Sequence, residues 1–389
     1  MRFFLLTYAY EEGIRVDTGG FRKVWELARH LNKIGHESWV FISEKERPQT
    51  DVPSPCISYP VIEMKILRPL SAYLMLFLKP LFYAFRHKPD FIYFRTAPTI
   101  LPILLSRLTG AQLILEINGD ALTERRGRSA SFRQDRIHYL RVKLTCLAEK
   151  LNARAAKVVI TLTDGLKDIV HERYLIPGEK VAVIQSGTNT DHCRPMDKAE
   201  CRKLLGLDEQ NRYVGFVGVL YAHQGLDTLI EATPEVLRTC PDVVFLIGGG
   251  GPMAEVWQNK VREMNIDTAF RFVGVVPYKQ LPIFLNAADI CVAPFVMDRG
   301  ETSPLKLFDY LACGNPVICS DISSLRTLTE ATEAILPVPP DDTRALASAL
   351  ISLLNDEPKR VSMGKAGRKY VEVHHSWETI ARTIARTVV

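Results

Sequence analysis

Short apolar, β-branched runs alternate along the chain with longer stretches in which apolar residues recur every three or four positions. The runs "RFFLLTYA", "ESWVFI", "FIYFR", "QLILEIN", "KVVITLT" and "VAVIQSG" predict strands in the first half. In the second, "YVGFVG", "VVFLIGG", "FRFVG", "ICVAPF", "PVICS" and "AILPV" do the same. Nearly continuous apolar strands separated by helices imply parallel sheets covered on both faces. Six strands in each half predict an α/β protein of two similar doubly wound domains. The boundary is expected near "TNTDHCRPMDKAE", where turn-forming residues and a proline intervene, giving domains 1–190 and 191–371. Open α/β sheets bind ligands beyond the carboxyl ends of their strands, so two such domains predict a cleft between them.

Composition supports that picture. At 389 residues the chain exceeds one typical core, and 47% hydrophobic with 24% charged residues predicts ordered domains. Charge is uneven. Residues 1–190 carry 28 Lys and Arg against 19 Asp and Glu, and the remainder 21 against 25, so a net of +9 is followed by −4. The first half is therefore expected to meet something anionic. The eight cysteines show no C-x-x-C pair or zinc-finger spacing, which predicts a reducing, cytoplasmic setting. "MRFFLLTYAYEEG" lacks a small-residue cleavage site and reads as a buried first strand instead of a signal peptide. The most apolar segment, "PLSAYLMLFLKPLFYAFRHKP", breaks at Lys79 and Pro80, short of the roughly 20 residues that span a bilayer. Its mixture of Leu, Met, Phe and Tyr with Lys65, Arg68, Lys79, Arg86 and Lys88 fits a segment lying on a membrane surface, or a buried helix with solvated basic ends.

The candidate chemistry concentrates in "RGETSPLKLFDYLACGNPV", residues 299–317. Ser303 can cap a helix, Pro304 suits its first turn and Gly314 can end it. Glu301 then sits beside exposed backbone N–H groups, while Lys306 and Asp309 share a helix face. Backbone donors, an ammonium and two carboxylates in one volume suit a ligand with both phosphate and sugar hydroxyls, a nucleotide sugar. An ordinary amphipathic helix, with Lys306 and Asp309 as a surface pair, fits the same residues. Gly19 and Gly20 follow the first strand where a helix begins, and would let backbone amides approach a phosphate or sugar. "LIGGGGPM" has the wrong spacing for a dinucleotide fingerprint and reads as a tight turn after a strand. In "LEINGDALTERRGR", Glu116, Asn118 and Asp120 at a strand's carboxyl end favour a cleft, with a basic turn beyond. The nine histidines form no metal cluster, and there is no Asp-x-Asp metal clamp.

In this order the pieces resemble the family 4 retaining glycosyltransferases of the GT-B fold, nearly end to end. The resemblance is carried by the Gly19-Gly20 loop with "LARHLNKIGHESWVF", by "VVITLTDGLKDI", "SGTNTDHCRP" and "GFVGVLYAHQGLDTLIEA", and by "FLIGGGGP", "FVGVVPYKQLPIFLNAADICVAPF" and "ETSPLKLFDYLACGNPVICS". It implies two Rossmann-like domains, an acceptor-binding one first and a nucleotide-sugar-binding one second. A last helix, at about 372–389 and including "HSWETIARTIA", crosses back onto the first domain. By the same resemblance Glu301 contacts the donor sugar and Asp309 takes the ribose hydroxyls. The family has Glu at both positions, so Asp309 is about 1.5 Å shorter in reach. Gly20, Gly218, Gln224, Val276, Arg299, Ser303, Pro304 and Leu305 are the implied donor contacts; Gly19, Arg95, Glu116, Asn118 and Asp120 the implied acceptor contacts. Where the family reads Gly-Arg-Leu-x-x-x-Lys-Gly, this chain reads Gly218-Val219-Leu220-Tyr221-Ala222-His223-Gln224-Gly225, and both diphosphate-gripping cations are gone. Lys306, with Arg299, is the expected substitute and joins Glu301 as a catalytic candidate. The expectation is a metal-independent, cofactor-free transferase in the cytoplasm, peripheral on the inner membrane face. It would move sugar from a nucleotide-diphosphate donor to a glycan or lipid-linked acceptor. A soluble acceptor, or a silent partner subunit of the same fold, are the alternatives.

Overall fold

The computed structural model describes residues 1–7, 19–43, 56–59, 67–95, 97–119, 136–296 and 305–389. The chain divides into two compact units: Met1–Ser186 with Trp377–Val389, and Gly187–Gly300 with Pro304–Ser376.

The first unit holds strands β1 (Arg2–Leu6), β2 (Glu37–Ser43), β3 (Cys56–Tyr59), β4 (Phe91–Arg95), β5 (Gln112–Ile117), β6 (Val158–Thr161) and β7 (Val181–Val183). They form one parallel sheet in the order β3-β2-β1-β4-β5-β6-β7. Its helices are α1 (Gly19–Lys33), α2 (Leu67–His87), α3 (Leu101–Thr109), α4 (Arg136–Ala155), α5 (Asp164–Tyr174) and, from the chain's end, α14 (Trp377–Thr387). The sheet has seven strands where six were expected. The four-residue β3, with its alternate residues only partly buried, is too short and mixed to read as a buried apolar run. α14 packs on α1, where Lys33 pairs with Glu378 at 3.0 Å, and Lys157 Nζ donates to the Val388 carbonyl at 2.6 Å.

The second unit contains β8 (Arg212–Val217), β9 (Val243–Gly248), β10 (Phe270–Gly274), β11 (Ile290–Ala293), β12 (Val317–Ser320) and β13 (Ile335–Val338), parallel in the order β10-β9-β8-β11-β12-β13. All six coincide with the expected runs. Around them lie α6 (Lys198–Leu204), α7 (Leu226–Thr239), α8 (Ala254–Glu263), α9 (Leu281–Ala287), α10 (Leu305–Ala312), α11 (Ser323–Ala331), α12 (Thr343–Leu354) and α13 (Glu357–His374). The edge strands β10 and β13 are partly exposed, whereas apolar clusters on both faces bury the inner strands β8, β9, β11 and β12 almost completely. That explains why these strands read as continuous apolar runs.

Gly248 to Gly251 prove to be a packing device. At Gly249 (φ +143°) a Cβ would overlap the Gly218 carbonyl, and Leu220 N donates to the Gly250 carbonyl at 2.9 Å. The glycines thus let the turn after β9 lie against the turn after β8, which fixes the loop that carries Gly218.

Candidate functional site

In the second unit the chemistry gathers at the carboxyl ends of β8 and β11, neighbours in the sheet whose connections run in opposite directions, the usual ligand position of a doubly wound sheet. Gly218 follows β8 directly, and Tyr310 on α10 holds that strand end through a 2.8 Å hydrogen bond from Val217 N. Lys306, in the first turn of α10, donates from Nζ to Gln224 Oε1, and Gln224 Nε2 lies 3.0 Å from His223 Nε2. The ammonium stands 4.1 Å from the Phe216 ring centroid and 5.1 Å from that of Phe295, so aromatic faces and one amide are its contacts. Burial in these surroundings pushes its pKa down to about 7. Gly218 matters here for space: a Cβ there would lie 3.0 Å from Lys306 Nζ. Gly225 closes the loop at φ +73°, where a Cβ would overlap the Pro294 carbonyl oxygen.

The position of Gln224 is informative. It occupies the place of the lysine in the glycine-bounded loop pattern, and its side-chain oxygen accepts from the ammonium of Lys306 on α10. The surface pairing of Lys306 with Asp309 considered from the sequence does not form. Leu307 to Ala312 are all buried, so α10 is an interior helix instead of an amphipathic surface one. Asp309, 3% exposed, turns the other way and accepts from Thr188 Oγ1 at 2.6 Å. Thr188 is itself fixed by its N–H to the His375 carbonyl, and the His375 ring stacks on Phe308 at 4.3 Å. Leu305 is half-buried at the helix start, and α10 ends where expected, with Gly314 in the left-handed region just beyond it. Val276 packs against Gly248 and lines a cavity of about 290 Å³ with Leu246 and Phe284. Glu301, Ser303, Pro304, Arg299 and Asp120 lie outside the described residues.

The first unit has a second polar cluster, at the carboxyl ends of β4 and β5. Glu116 is fully buried and pairs with Lys23 of α1 at 2.8 Å and with Arg95 Nε at 3.4 Å; it also accepts from Tyr93 Oη. With its amide oxygen turned toward Arg95, Asn118 accepts from Nε and Nη2 at 3.0 Å and donates to Glu116. The two cations outweigh desolvation and hold the Glu116 carboxyl below its usual range, whereas burial lowers Lys23 and raises Tyr93. The structure therefore brings Arg95, Glu116 and Asn118 together and adds Lys23 and Tyr93, which the sequence reading did not select. A lysine on the apolar stripe of Val24, Leu27, Ala28 and Leu31 was the available signal for Lys23. Gly19 and Gly20 form the first two positions of α1, less than two helical turns before Lys23.

A larger cavity of about 680 Å³ opens at the opposite, amino-end edge of the second sheet, beside Asp289 and Pro316. Its arginines are engaged structurally: Arg202 pairs with Asp289 at 2.6 Å, and Arg368 donates to the carbonyls of Thr190, Cys193 and Ala312.

Residues 18–192 match the model of Glycosyltransferase Family 4 and residues 197–370 that of Glycosyl transferases group 1. Curated relatives include the D-inositol 3-phosphate glycosyltransferase of Corynebacterium aurimucosum, 28% identical over 60% of this chain and 56% of its own length. Another is a GDP-mannose-dependent monoacylated phosphatidylinositol monomannoside mannosyltransferase of Corynebacterium glutamicum, 32% identical over 49% of this chain and 50% of its own length. The chain thus spans about half the length of these relatives. Among solved structures, Anabaena HepE in complex with UDP and glucose aligns with a TM-score of 0.76 at 16% identity, over 99% of this chain and 98% of HepE. Two Rossmann-like units, each with its chemistry at the carboxyl ends of its strands, and two adjoining family matches that take in nearly the whole sequence place the chain in glycosyltransferase family 4, with the GT-B fold.

Proposed function

We propose that the protein transfers a sugar from a nucleotide-diphosphate sugar to a glycan or lipid-linked acceptor, with retention of configuration and with Lys306 as the diphosphate cation. The observation that carries this reading is the contact of Lys306 Nζ with Gln224, which sets a positive charge in the loop whose family cations are absent. Gly218 leaves the approach to that ammonium open. Breaking the bond between the anomeric carbon and the diphosphate places negative charge on the leaving oxygen, and a fixed cation aimed there lowers the barrier. Glu301 contacts the donor sugar, and Asp309, oriented by Thr188, holds the ribose hydroxyls directly or through a water. In the retaining route the acceptor attacks from the leaving-group side, and the departing phosphate takes the acceptor's proton. UDP bound by HepE and GDP-mannose used by the Corynebacterium glutamicum enzyme support the donor class. The inositol-based acceptors in the relatives' names support a hydroxyl acceptor, and the second of them a lipid-borne one.

The test is a thermal-shift screen of nucleotide sugars followed by donor hydrolysis and transfer assays. A ligand that binds only the folded state raises the melting temperature. Binding and turnover are expected; binding without turnover would indicate the silent-subunit alternative. Because the cation is a side chain, transfer is also expected to persist in a chelator. A requirement for added divalent metal in the chemical step would contradict the assignment of the leaving-group charge to Lys306.

A further inference from the structure

Between residues 1 and 186, twelve described large apolar side chains are exposed, and eleven of them lie on or cap three neighbouring helices, α2, α3 and α4. These helices contact one another in sequence, α2 with α3 and α3 with α4, and cover one layer of the first sheet. On α2, Leu74 and Leu78 are 49% and 42% exposed, rising to 73% at Phe82 and 78% at Phe85. Ile100, Leu104 and Leu108 repeat every four residues along α3, so they share one helix face. On α4, Leu140, Leu144, Leu147 and Leu151 form a stripe at helical spacing, while Val142, Ala148 and Ala153 are buried. Each outer helix carries its stripe over twelve residues, about 16 Å of axis. The largest apolar patch on a soluble monomer is typically about 300–600 Å², and eleven such side chains at about half exposure exceed it roughly twofold. On α1 no described large apolar residue is exposed: Val24, Leu27 and Leu31 are buried and Trp25 is half-buried.

Charge identifies the occupant. The three helices hold nine Lys and Arg and a single acid, Glu149, which is buried and bonded to Tyr174. Arg86, Arg107, Lys143 and Arg154 are exposed beside the leucines. Two copies of such a face would repel one another, whereas an anionic surface with an apolar interior satisfies both features. The sequence pointed to residues 65–88 alone; α3 and α4 extend the face. We infer that α2, α3 and α4 together form a docking face for a bilayer containing anionic lipid, with the leucines and phenylalanines entering the headgroup boundary and the basic side chains pairing with headgroups. The inference rests on the first unit alone and does not depend on the donor-site reading. Among the described residues no helix is long and apolar enough to cross a membrane, so the contact is with the surface.

The test is sedimentation of the full chain with phosphatidylcholine vesicles, with and without phosphatidylglycerol. At low salt, binding is expected only to the anionic vesicles, and high salt should release the protein. Leu104→Ser with Leu144→Ser, both at exposed positions, should weaken binding at least tenfold, as should Arg107→Glu with Arg154→Glu, with melting temperature and nucleotide thermal shift unchanged. Any of three results overturns the proposal: no binding to anionic vesicles at low salt; binding that both double variants retain, which would place the contact elsewhere or on α2 alone; or a dimer in analytical ultracentrifugation, abolished by the leucine substitutions, that binds no vesicles. Loss of the nucleotide thermal shift with vesicle binding intact would instead count against the donor-site reading only.

Discussion

Replacing Lys306 with alanine is expected to weaken binding of a nucleoside diphosphate by about 2–5 kcal/mol while leaving binding of the free nucleoside nearly unchanged. The ammonium is held by Gln224, Phe216 and Phe295 beside a glycine, so an anion that reaches it meets a charge already desolvated and aimed. Its pKa of about 7 adds a signature. Only the protonated amine attracts diphosphate, so wild-type affinity should fall as pH rises through 7, by up to about tenfold per unit, and the alanine variant should show no such slope. The sign for stability is opposite. A folded pKa below the ordinary lysine value of 10.5 means that the unfolded chain binds the extra proton between those limits, so stability from this group rises with pH across that window. Lys306→Met should flatten the rise. Titration of nucleoside and nucleoside diphosphate between pH 6 and 9 checks the binding arm, since equal losses for both ligands would remove Lys306 from the phosphate site. Thermal unfolding over the same range checks the other arm.

Glu301→Gln is expected to leave the protein folded and able to bind donor, yet to cut turnover by about 10²- to 10³-fold, the scale of losing one preorganised transition-state contact. The carboxylate precedes the α10 start by four residues, and the variant tests the donor-sugar contact that the proposed function gives it. Gln preserves size and removes charge, so a fall in kcat with little change in KM would mark a contact made in the transition state. Near-wild-type turnover in the purified variant would take Glu301 out of the mechanism.

Periodicity alone determined much of this protein. Burial on both faces leaves an unbroken apolar run, and such runs located all six strands of the second sheet and six of the seven in the first. The missed β3 is four residues long and half-covered, a signal that no period resolves. The helix present from Leu305 to Ala312 and its glycine stop at Gly314 were legible in the sequence, because C-terminal capping chemistry is local. What a side chain meets across the fold is not local. Lys306 and Asp309 are three residues apart and were expected on one face, yet one reaches Gln224 and the other Thr188, 82 and 121 positions away. That choice depends on which groups the neighbouring strand ends present. Lys23 meets Glu116 for the same reason, through a sheet order that sets α1 beside the end of β5. The apolar stripes of α2, α3 and α4 could be read from sequence as faces, but which stripe turned inward and which was left to solvent was decided only when the three helices packed on one side of the sheet.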